Sequence, residues 1–208
     1  MNEPAGMTAP AAAADPLREQ ALGLGMIVFL ASESMLFAGM FALYAAGRAT
    51  HPQAFAEGVD GNLLWVGTAN TYVLLISSWC IAMAVTWLRA GRRRGAVAMM
   101  AATLGLGALF LGLKGYEYGH HLAAGEGPGA VLGGRAAESS FLVLYWLVTG
   151  THAIHVMVGM VLIAGMGWMV MRRRLQASTL ELAAWYWHLV DAMWIVIWPL
   201  FYLLGGHR

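Results

Sequence analysis

Seven ionisable side chains lie within stretches of sequence that are otherwise apolar. They are Glu33, Lys114, Glu117, His152, His155, His188 and Asp191. Carboxyl and imidazole groups can carry protons, bind metal ions or form hydrogen bonds between helices. An ionisable group at the centre of a membrane costs about 2.5–3.5 kcal/mol on insertion scales. We therefore expect these side chains to face a protein interior and to pair with one another.

Two of the histidines occur in the stretch TGTHAIHVMVG. His152 and His155 have the i,i+3 spacing that places two side chains on one face of a helix. Such a pair could contribute to a metal site, or to a haem site with His188 as second axial ligand. A metal site needs additional ligands, however, and Thr149 and Thr151 in the same turn favour a hydrogen-bonded contact between helices. We predict no metal in this chain.

The carboxyl groups of Glu33 and Asp191 are predicted to be buried and related to proton chemistry. Each lies about twelve residues into its apolar segment, or about 18 Å at 1.5 Å per residue, so the two could lie at similar depth. Glu33 is expected to contact His188 or His152, and Asp191 is spaced to pair with His188. We also expect a structural polar network, formed by Ser32, Ser34, Thr149, His152, His155 and His188.

The i,i+3 spacing of Lys114 and Glu117 predicts an ion pair, to which we assign a structural role. Aromatic residues near His188 and Asp191 are candidates for contact with lipid or with a partner subunit. They are Trp185, Tyr186, Trp187 and Trp194. Pro199 is expected to kink the segment that carries them.

Composition indicates that helices in a membrane position these residues. Of the 208 residues, 60% are hydrophobic and 11% are charged, whereas a soluble domain is about 25% charged. Five segments are long enough to cross a hydrocarbon core of about 30 Å as helices. Long uniform apolar runs disfavour a β-barrel. We predict an all-α, five-helix membrane bundle with helices near 21–46, 62–89, 96–118, 138–171 and 180–205.

The remaining residues set the domain organisation and the orientation. Residues 1–20 are predicted to be a flexible tail, and 21–208 a single membrane domain. Residues 89–94 hold four arginines and residues 172–174 hold three, whereas the other two linkers hold one each. Because positive linkers stay cytoplasmic, the N-terminus should be cytoplasmic and the C-terminus outside. The net charge of +1 excludes a basic nucleic-acid surface, and the single cysteine excludes an intramolecular disulfide.

Several stretches together resemble subunit III of the haem-copper respiratory oxidases. The stretch ELAAWYWHLVDAMWIVIWPLFYL is similar to that family's Trp-Tyr-Trp-His-x-Val-Asp-x-x-Trp signature. TGTHAIHVMVG is similar to its Thr-Gly-x-His-x-x-His-Val-x-x-Gly signature, and GMIVFLASESMLFAGMFALY to its first shared helix with a Ser-Glu pair. The resemblance covers all five segments in order and fits the short bacterial form of the family.

This resemblance implies a non-catalytic subunit that docks on a catalytic subunit I, where the haem and copper reside, beside other oxidase subunits. The complex would be a proton-pumping terminal oxidase of the bacterial inner membrane. It would reduce oxygen to water with electrons from cytochrome c or quinol. This chain would contain no cofactor, bind phospholipid, stabilise subunit I and support its proton uptake. Glu33 would be a protonated carboxyl group in an apolar site.

Other functions remain open from the sequence. The stretches KGYEYGHHLAAGEG and WPLFYLLGG are similar to an accessory branch associated with nitric-oxide reductases. A proton-coupled carrier could use Glu33, His188 and Asp191 as a relay, although the five segments show no convincing internal repeat. An intramembrane enzyme or b-type cytochrome would need a nucleophile or cofactor motif, and the sequence contains none that we recognise.

Overall fold

The computed structural model describes residues 16–127 and 138–205, and within these ranges the chain is helical with no strand. The helices are α1 (Pro16–Thr50), α2 (Pro52–Gly61), α3 (Leu64–Arg89), α4 (Arg93–Ala123), α5 (Glu138–Met171) and α6 (Ala177–Tyr202). Most of the tail predicted for residues 1–20 lies outside the described residues, and residues 16–20 belong to α1. The predicted all-α architecture is confirmed.

Five of these helices are long and apolar enough to cross a membrane, which confirms the five predicted spans. Large apolar side chains point away from the bundle, including Met35, Trp79 and Val161, which are 76%, 61% and 73% exposed. In a bilayer these side chains contact lipid tails at no cost. The chain is therefore a multi-pass membrane protein.

Helix α2 was not predicted from the sequence. Its ten residues span about 15 Å, which is too short to cross a bilayer. Pro52 in the first turn has the fixed φ and the missing N–H that suit a helix start. Phe55 and Val59, one turn apart, are both buried. The Phe55 ring lies 5.2 Å from that of Tyr44 in α1 and 5.6 Å from that of Phe141 in α5, so α2 fastens these two helices together.

The α3–α4 and α5–α6 turns lie at the same end of the bundle. An ion pair between Arg89 of α3 and Glu181 of α6 joins the two turns. Residues 89–94 and 172–174 are therefore neighbours, and we call this the arginine end. Helix α3 packs most extensively on α4 and α6. Within the described residues, α1 contacts α2, α5 and α6 but neither α3 nor α4, so it lies at the edge of the bundle.

At the opposite end of the bundle, α6 stays helical through Pro199 to Tyr202. The last carbonyl groups of a helix have no partner within it and need donors from elsewhere. The Tyr44 hydroxyl of α1 donates to the carbonyl oxygen of Leu200. Asn62 Nδ2 donates to that of Phe201 over 2.8 Å. Two side chains distant in sequence thus cap the C-terminal end of α6.

Gly159 of α5 allows close contact with α6, and this contact predicts a mutational effect. A Cβ added there would lie 2.8 Å from the Trp187 ring, which is fully buried. We expect Gly159→Ala to lower the free energy of unfolding by about 1–3 kcal/mol through overpacking. The matched control is Gly165→Ala in the same helix, where an added Cβ meets no atom within 4 Å. Chemical denaturation in detergent should separate the two variants; equal stability would contradict the prediction.

Candidate functional site

Glu33 of α1 pairs with His155 of α5. His155 Nε2 lies 2.8 Å from Oε2 of Glu33, and the two side chains are 16% and 19% exposed. The pair therefore lies at the seam between α1 and α5, neither deep in the core nor fully open to lipid. The prediction of an imidazole partner for Glu33 was correct in chemical type, but the predicted residues, His188 and His152, were wrong.

The second ring nitrogen of His155 limits where protons can lie. Nδ1 is 2.8 Å from the carbonyl oxygen of Thr151, which can only accept a hydrogen bond. Nδ1 therefore carries a hydrogen, and Nε2 either accepts a proton from a Glu33 carboxyl group or donates one to a Glu33 carboxylate. In both states a single proton is shared between His155 and Glu33, and the pair has no net charge. A shared proton of this kind makes the glutamate tolerable inside the membrane.

Aromatic rings and helix carbonyl groups complete the surroundings of the pair. The Phe37 ring lies 5.3 Å from the His155 ring, and the Tyr186 hydroxyl donates to the His155 carbonyl oxygen over 3.1 Å. Ser32 and Ser34 instead donate to carbonyl oxygens of their own helix, at Phe29 and Leu30. The two serines flanking Glu33 thus satisfy the α1 backbone and form no hydrogen bond with the carboxyl group.

His152 points into the core, away from the seam. Its Nε2 donates to the carbonyl oxygen of Val190 in α6 over 3.1 Å. Its ring packs against Phe110 and Trp194 at centroid distances of 5.4 and 5.0 Å. Nδ1 is buried without a hydrogen-bond partner among the described residues. His152 therefore links α5 to α6 inside the bundle.

His188 and Asp191 do not form the pair that their spacing predicted. His188 Nδ1 lies 2.6 Å from Ser78 Oγ of α3, so its partner is a neighbouring helix. Ser78 also lies close to the Asp191 carboxyl group. The Asp191 side chain is buried, and its carboxyl oxygens reach hydrogen-bonding geometry with no described residue. Asp191 is thus a buried carboxyl group separate from the Glu33–His155 pair.

The Lys114–Glu117 ion pair is confirmed and lies deep in the bundle. Lys114 Nζ is 2.8 Å from Glu117 Oε2, 3.1 Å from the Tyr145 hydroxyl and 3.0 Å from the Tyr202 hydroxyl. The Tyr202 hydroxyl also donates to Glu117 Oε2 over 2.7 Å. All three ammonium hydrogens thus have acceptors, which offsets the cost of burying the charge. We call Lys114, Glu117, Tyr145 and Tyr202 the lysine cluster.

Thr149 borders the lysine cluster. Its Oγ1 donates to the carbonyl oxygen of Tyr145 over 2.6 Å and lies 2.9 Å from the Tyr118 hydroxyl. Thr149 therefore connects α5 to α4, a role typical of a buried threonine between membrane helices.

The four aromatic residues considered for lipid or subunit contact differ in position. Trp185 is 39% exposed and reaches the bundle surface. Tyr186, Trp187 and Trp194 are buried. The indole N–H groups of Trp187 and Trp194 donate to Ser77 and Thr71 of α3 over 3.0 and 3.1 Å. These indoles fasten α6 to α3, which leaves Trp185 as the member of the set that faces outward.

The two histidines of α5 are engaged in contacts with protein groups. In residues 16–127 and 138–205, no three His, Cys, Asp or Glu side chains lie close enough together to hold a metal ion. Both ring nitrogens of His155 are engaged by Thr151 and Glu33, and Nε2 of His152 is engaged by Val190. The arrangement is suited to holding protons and joining helices.

Sequence reasoning missed several partners in these sites. Ser78 lies 110 residues before His188, and Tyr202 lies 88 residues after Lys114. No local spacing connects such residues. The apolar sequence around Tyr145 and Tyr202 was the available signal that these hydroxyl groups have polar partners, because a buried hydroxyl group needs one.

Comparison with known proteins agrees with this architecture. The family model for cytochrome c oxidase subunit III matches residues 12–206. Cytochrome c oxidase subunit 3 of Thermostichus vulcanus is 34% identical over 185 residues, covering 87% of this chain and 86% of that protein. Quinol oxidase subunit 3 of Bacillus subtilis is 34% identical over 191 residues, covering 88% and 86%. Cytochrome bo(3) ubiquinol oxidase subunit 3 of Pseudomonas putida is 29% identical over 188 residues, covering 88% and 85%. The chain belongs to the cytochrome c oxidase subunit III family.

Proposed function

We propose that this chain is a non-catalytic accessory subunit of a proton-pumping haem-copper terminal oxidase in a bacterial inner membrane. It docks on the catalytic subunit I, which holds the haem and copper and reduces oxygen to water. Family membership supports the assignment, and the named relatives serve oxidases of cytochrome c and of quinols. The histidines described above are engaged in helix contacts, in keeping with a chain that performs no redox chemistry itself.

The Glu33–His155 pair is the observation that carries the proton-related part of this proposal. It holds one shared proton at the α1–α5 seam, where both side chains remain partly exposed. Among the described residues α1 contacts neither α3 nor α4, so the edge beside the seam is available to lipid or to subunit I. We propose that phospholipid chains pack at this edge. The pair and the lipid together support proton uptake by subunit I, and Asp191 is a further buried carboxyl group for this role.

The position of the arginine end supports a proposal for the orientation of the bundle. The arginines of residues 89–94 and 172–174 gather at one end of the bundle, joined by the Arg89–Glu181 ion pair. Positive linkers are retained in the cytoplasm. We propose that the arginine end is cytoplasmic and that the end where α6 finishes faces outward.

Purification of the tagged chain from its own membranes in mild detergent tests the proposal. We expect a larger haem-containing subunit to copurify, giving a Soret band and bound copper. Deletion of the chain should lower oxygen consumption with either cytochrome c or quinol as donor, and the donor affected identifies the oxidase type.

Three outcomes would contradict the proposal. Copurification with a nitric-oxide-consuming enzyme, together with loss of that activity in the deletion strain, would favour the nitric-oxide-reductase branch. Stable purification alone with unchanged oxygen consumption would remove the oxidase assignment. Proton-coupled solute uptake by the chain in liposomes would favour a carrier.

A further inference from the structure

A second ionisable pair, His121 and Glu126, lies beyond the lysine cluster at the end of α4 opposite the arginine end. His121 Nδ1 is 2.7 Å from Glu126 Oε2. The His121 side chain is 3% exposed and that of Glu126 is 45% exposed. The Glu126 carboxyl group is therefore at the bundle surface, whereas the His121 imidazole is buried. This pair connects the bundle surface with its interior.

A turn at the end of α4 folds the chain back so that Glu126 lies against the last turn of the helix. Gly125 has a φ of 79°, a left-handed conformation that glycine adopts without steric cost. The Gly125 N–H donates to the Leu122 carbonyl oxygen and the Glu126 N–H to that of His121. This is the Schellman arrangement that ends many helices. Trp146 Nε1 also donates to the Glu126 carbonyl oxygen over 3.0 Å, which holds the turn against α5.

One buried polar atom of the lysine cluster and one of this pair have no hydrogen-bond partner among the described residues. They are Glu117 Oε1 and His121 Nε2. Glu117 and His121 are four positions apart along α4, so their Cα atoms lie about one helical turn, or about 6 Å, apart on one face. Tyr145 lies beside both, with its hydroxyl on Lys114 and its ring centroid 5.0 Å from that of His121. A water molecule between Oε1 of Glu117 and Nε2 of His121 would give both buried atoms a hydrogen-bond partner.

We propose that the lysine cluster exchanges protons with the aqueous phase at this end of the bundle, through Glu126, His121 and one bridging water. Glu126 takes a proton from solvent and passes it to Nδ1 of His121. Nε2 gives its proton to the water, and the water gives a proton to Oε1 of Glu117. The imidazole starts with its hydrogen on Nε2 and ends with it on Nδ1, so one solvent proton reaches Glu117 and His121 changes tautomer. This site is separate from Glu33 and Asp191 and goes beyond the proposed function.

The surroundings of Glu117 make its protonation tolerable. The ionisable groups that face it are Lys114 and Tyr118 of α4, Tyr145 of α5 and Tyr202 of α6. Protonation of Glu117 leaves the Lys114 ammonium without its counter-charge. Aromatic rings then stabilise it, because Nζ lies 4.8 Å from the ring centroids of both Tyr118 and Tyr145. The Trp194 and Tyr202 rings lie at 5.5 and 5.7 Å.

Infrared spectroscopy after a rapid pH drop tests this proposal on the full chain in lipid nanodiscs, with whatever partners copurify. We expect a carboxyl C=O band to grow on acidification and to be absent from Glu117→Gln. Labelling with ¹³C-glutamate assigns the band to glutamate if that variant does not fold. In His121→Phe its growth should be about 100-fold slower, the usual scale for loss of a positioned proton-transfer group.

Matched variants separate the relay from a structural effect. His120→Phe changes the exposed neighbouring histidine and should leave the rate unchanged. Glu126→Gln keeps a hydrogen-bond acceptor for His121 but cannot relay a proton, so the band should again grow slowly. If His121→Phe does not fold, the growth rate of the band in Glu126→Gln tests the relay. The proposal is overturned if Glu126→Gln or folded His121→Phe matches the wild-type rate, or if no Glu117 band appears before acid unfolding.

Discussion

Replacing Lys114 by methionine should lower the free energy of unfolding by about 3–5 kcal/mol, because it leaves the buried Glu117 carboxylate without its counter-charge. Methionine keeps the length and apolar character of the lysine stem, so the loss reports mainly on charge. The Tyr145 and Tyr202 hydroxyls also lose the ammonium group that now donates to both. Chemical denaturation in detergent micelles measures the change.

Two further variants define this result. Lys114→Met combined with Glu117→Leu removes both charges and should recover most of the lost stability, since an apolar pair of similar volume is often as stable as a buried ion pair. Arg89→Met breaks the Arg89–Glu181 pair, whose side chains are 57% and 33% exposed, and should cost less than about 1 kcal/mol. A Lys114→Met loss no larger than that of Arg89→Met would refute a structural role for the buried pair.

Replacing His155 by phenylalanine should loosen α1 without disturbing α3 or α4. The new ring fits beside Phe37, but Glu33 loses the nitrogen with which it shares a proton, at a cost of about 1–3 kcal/mol. Because α1 contacts neither α3 nor α4 in the part of the chain that the structure describes, the opening should be local. Hydrogen exchange of backbone amides in nanodiscs should therefore be faster in α1 and unchanged in α3 and α4.

The matched variants for the seam are Glu33→Gln and Ser32→Ala. The glutamine amide can donate to Nε2 of His155, whose Nδ1 hydrogen is held by Thr151, so α1 should stay protected and the complex should assemble. Ser32 is exposed, and its hydroxyl donates to Phe29 of its own helix, so Ser32→Ala should leave the exchange of α1 unchanged. Unaltered exchange of α1 in His155→Phe would show that the Glu33–His155 hydrogen bond does not hold this helix.

The sequence predicts the five spans well because their hydropathy is summed over some twenty residues, and single errors average out. Helix α2 escaped prediction because it is short and only Phe55 and Val59 form its buried side. Its position depends on rings from α1 and α5, which no local pattern reveals.

The partner of Glu33 shows what depth alone cannot provide. Counting residues placed Glu33 at the depth of Asp191 and predicted a histidine partner from α5 or α6, and the structure pairs it with His155 of α5. His152 and His155, however, differ by about 60° around the helix axis, and this rotation turns one into the core and the other to the seam. Direction around an axis depends on how helices pack, which hydropathy does not record. The contacts of Tyr145 and Tyr202 with Lys114 were not predicted for the same reason.

The capping of α6 by Tyr44 and Asn62 has a consequence for how the protein is made. Tyr44 is synthesised 156 residues before Leu200, so the nascent chain must hold α1 in the membrane until the last helix arrives. His155 is synthesised before Leu200 and can pair with Glu33 first. Helix α6 then completes the bundle when its last carbonyl groups bind Tyr44 and Asn62. Chains truncated between His155 and Leu200 should therefore enter the membrane with Glu33 bound to His155 but without the Tyr44 contact to α6, and should be targets of quality-control proteases.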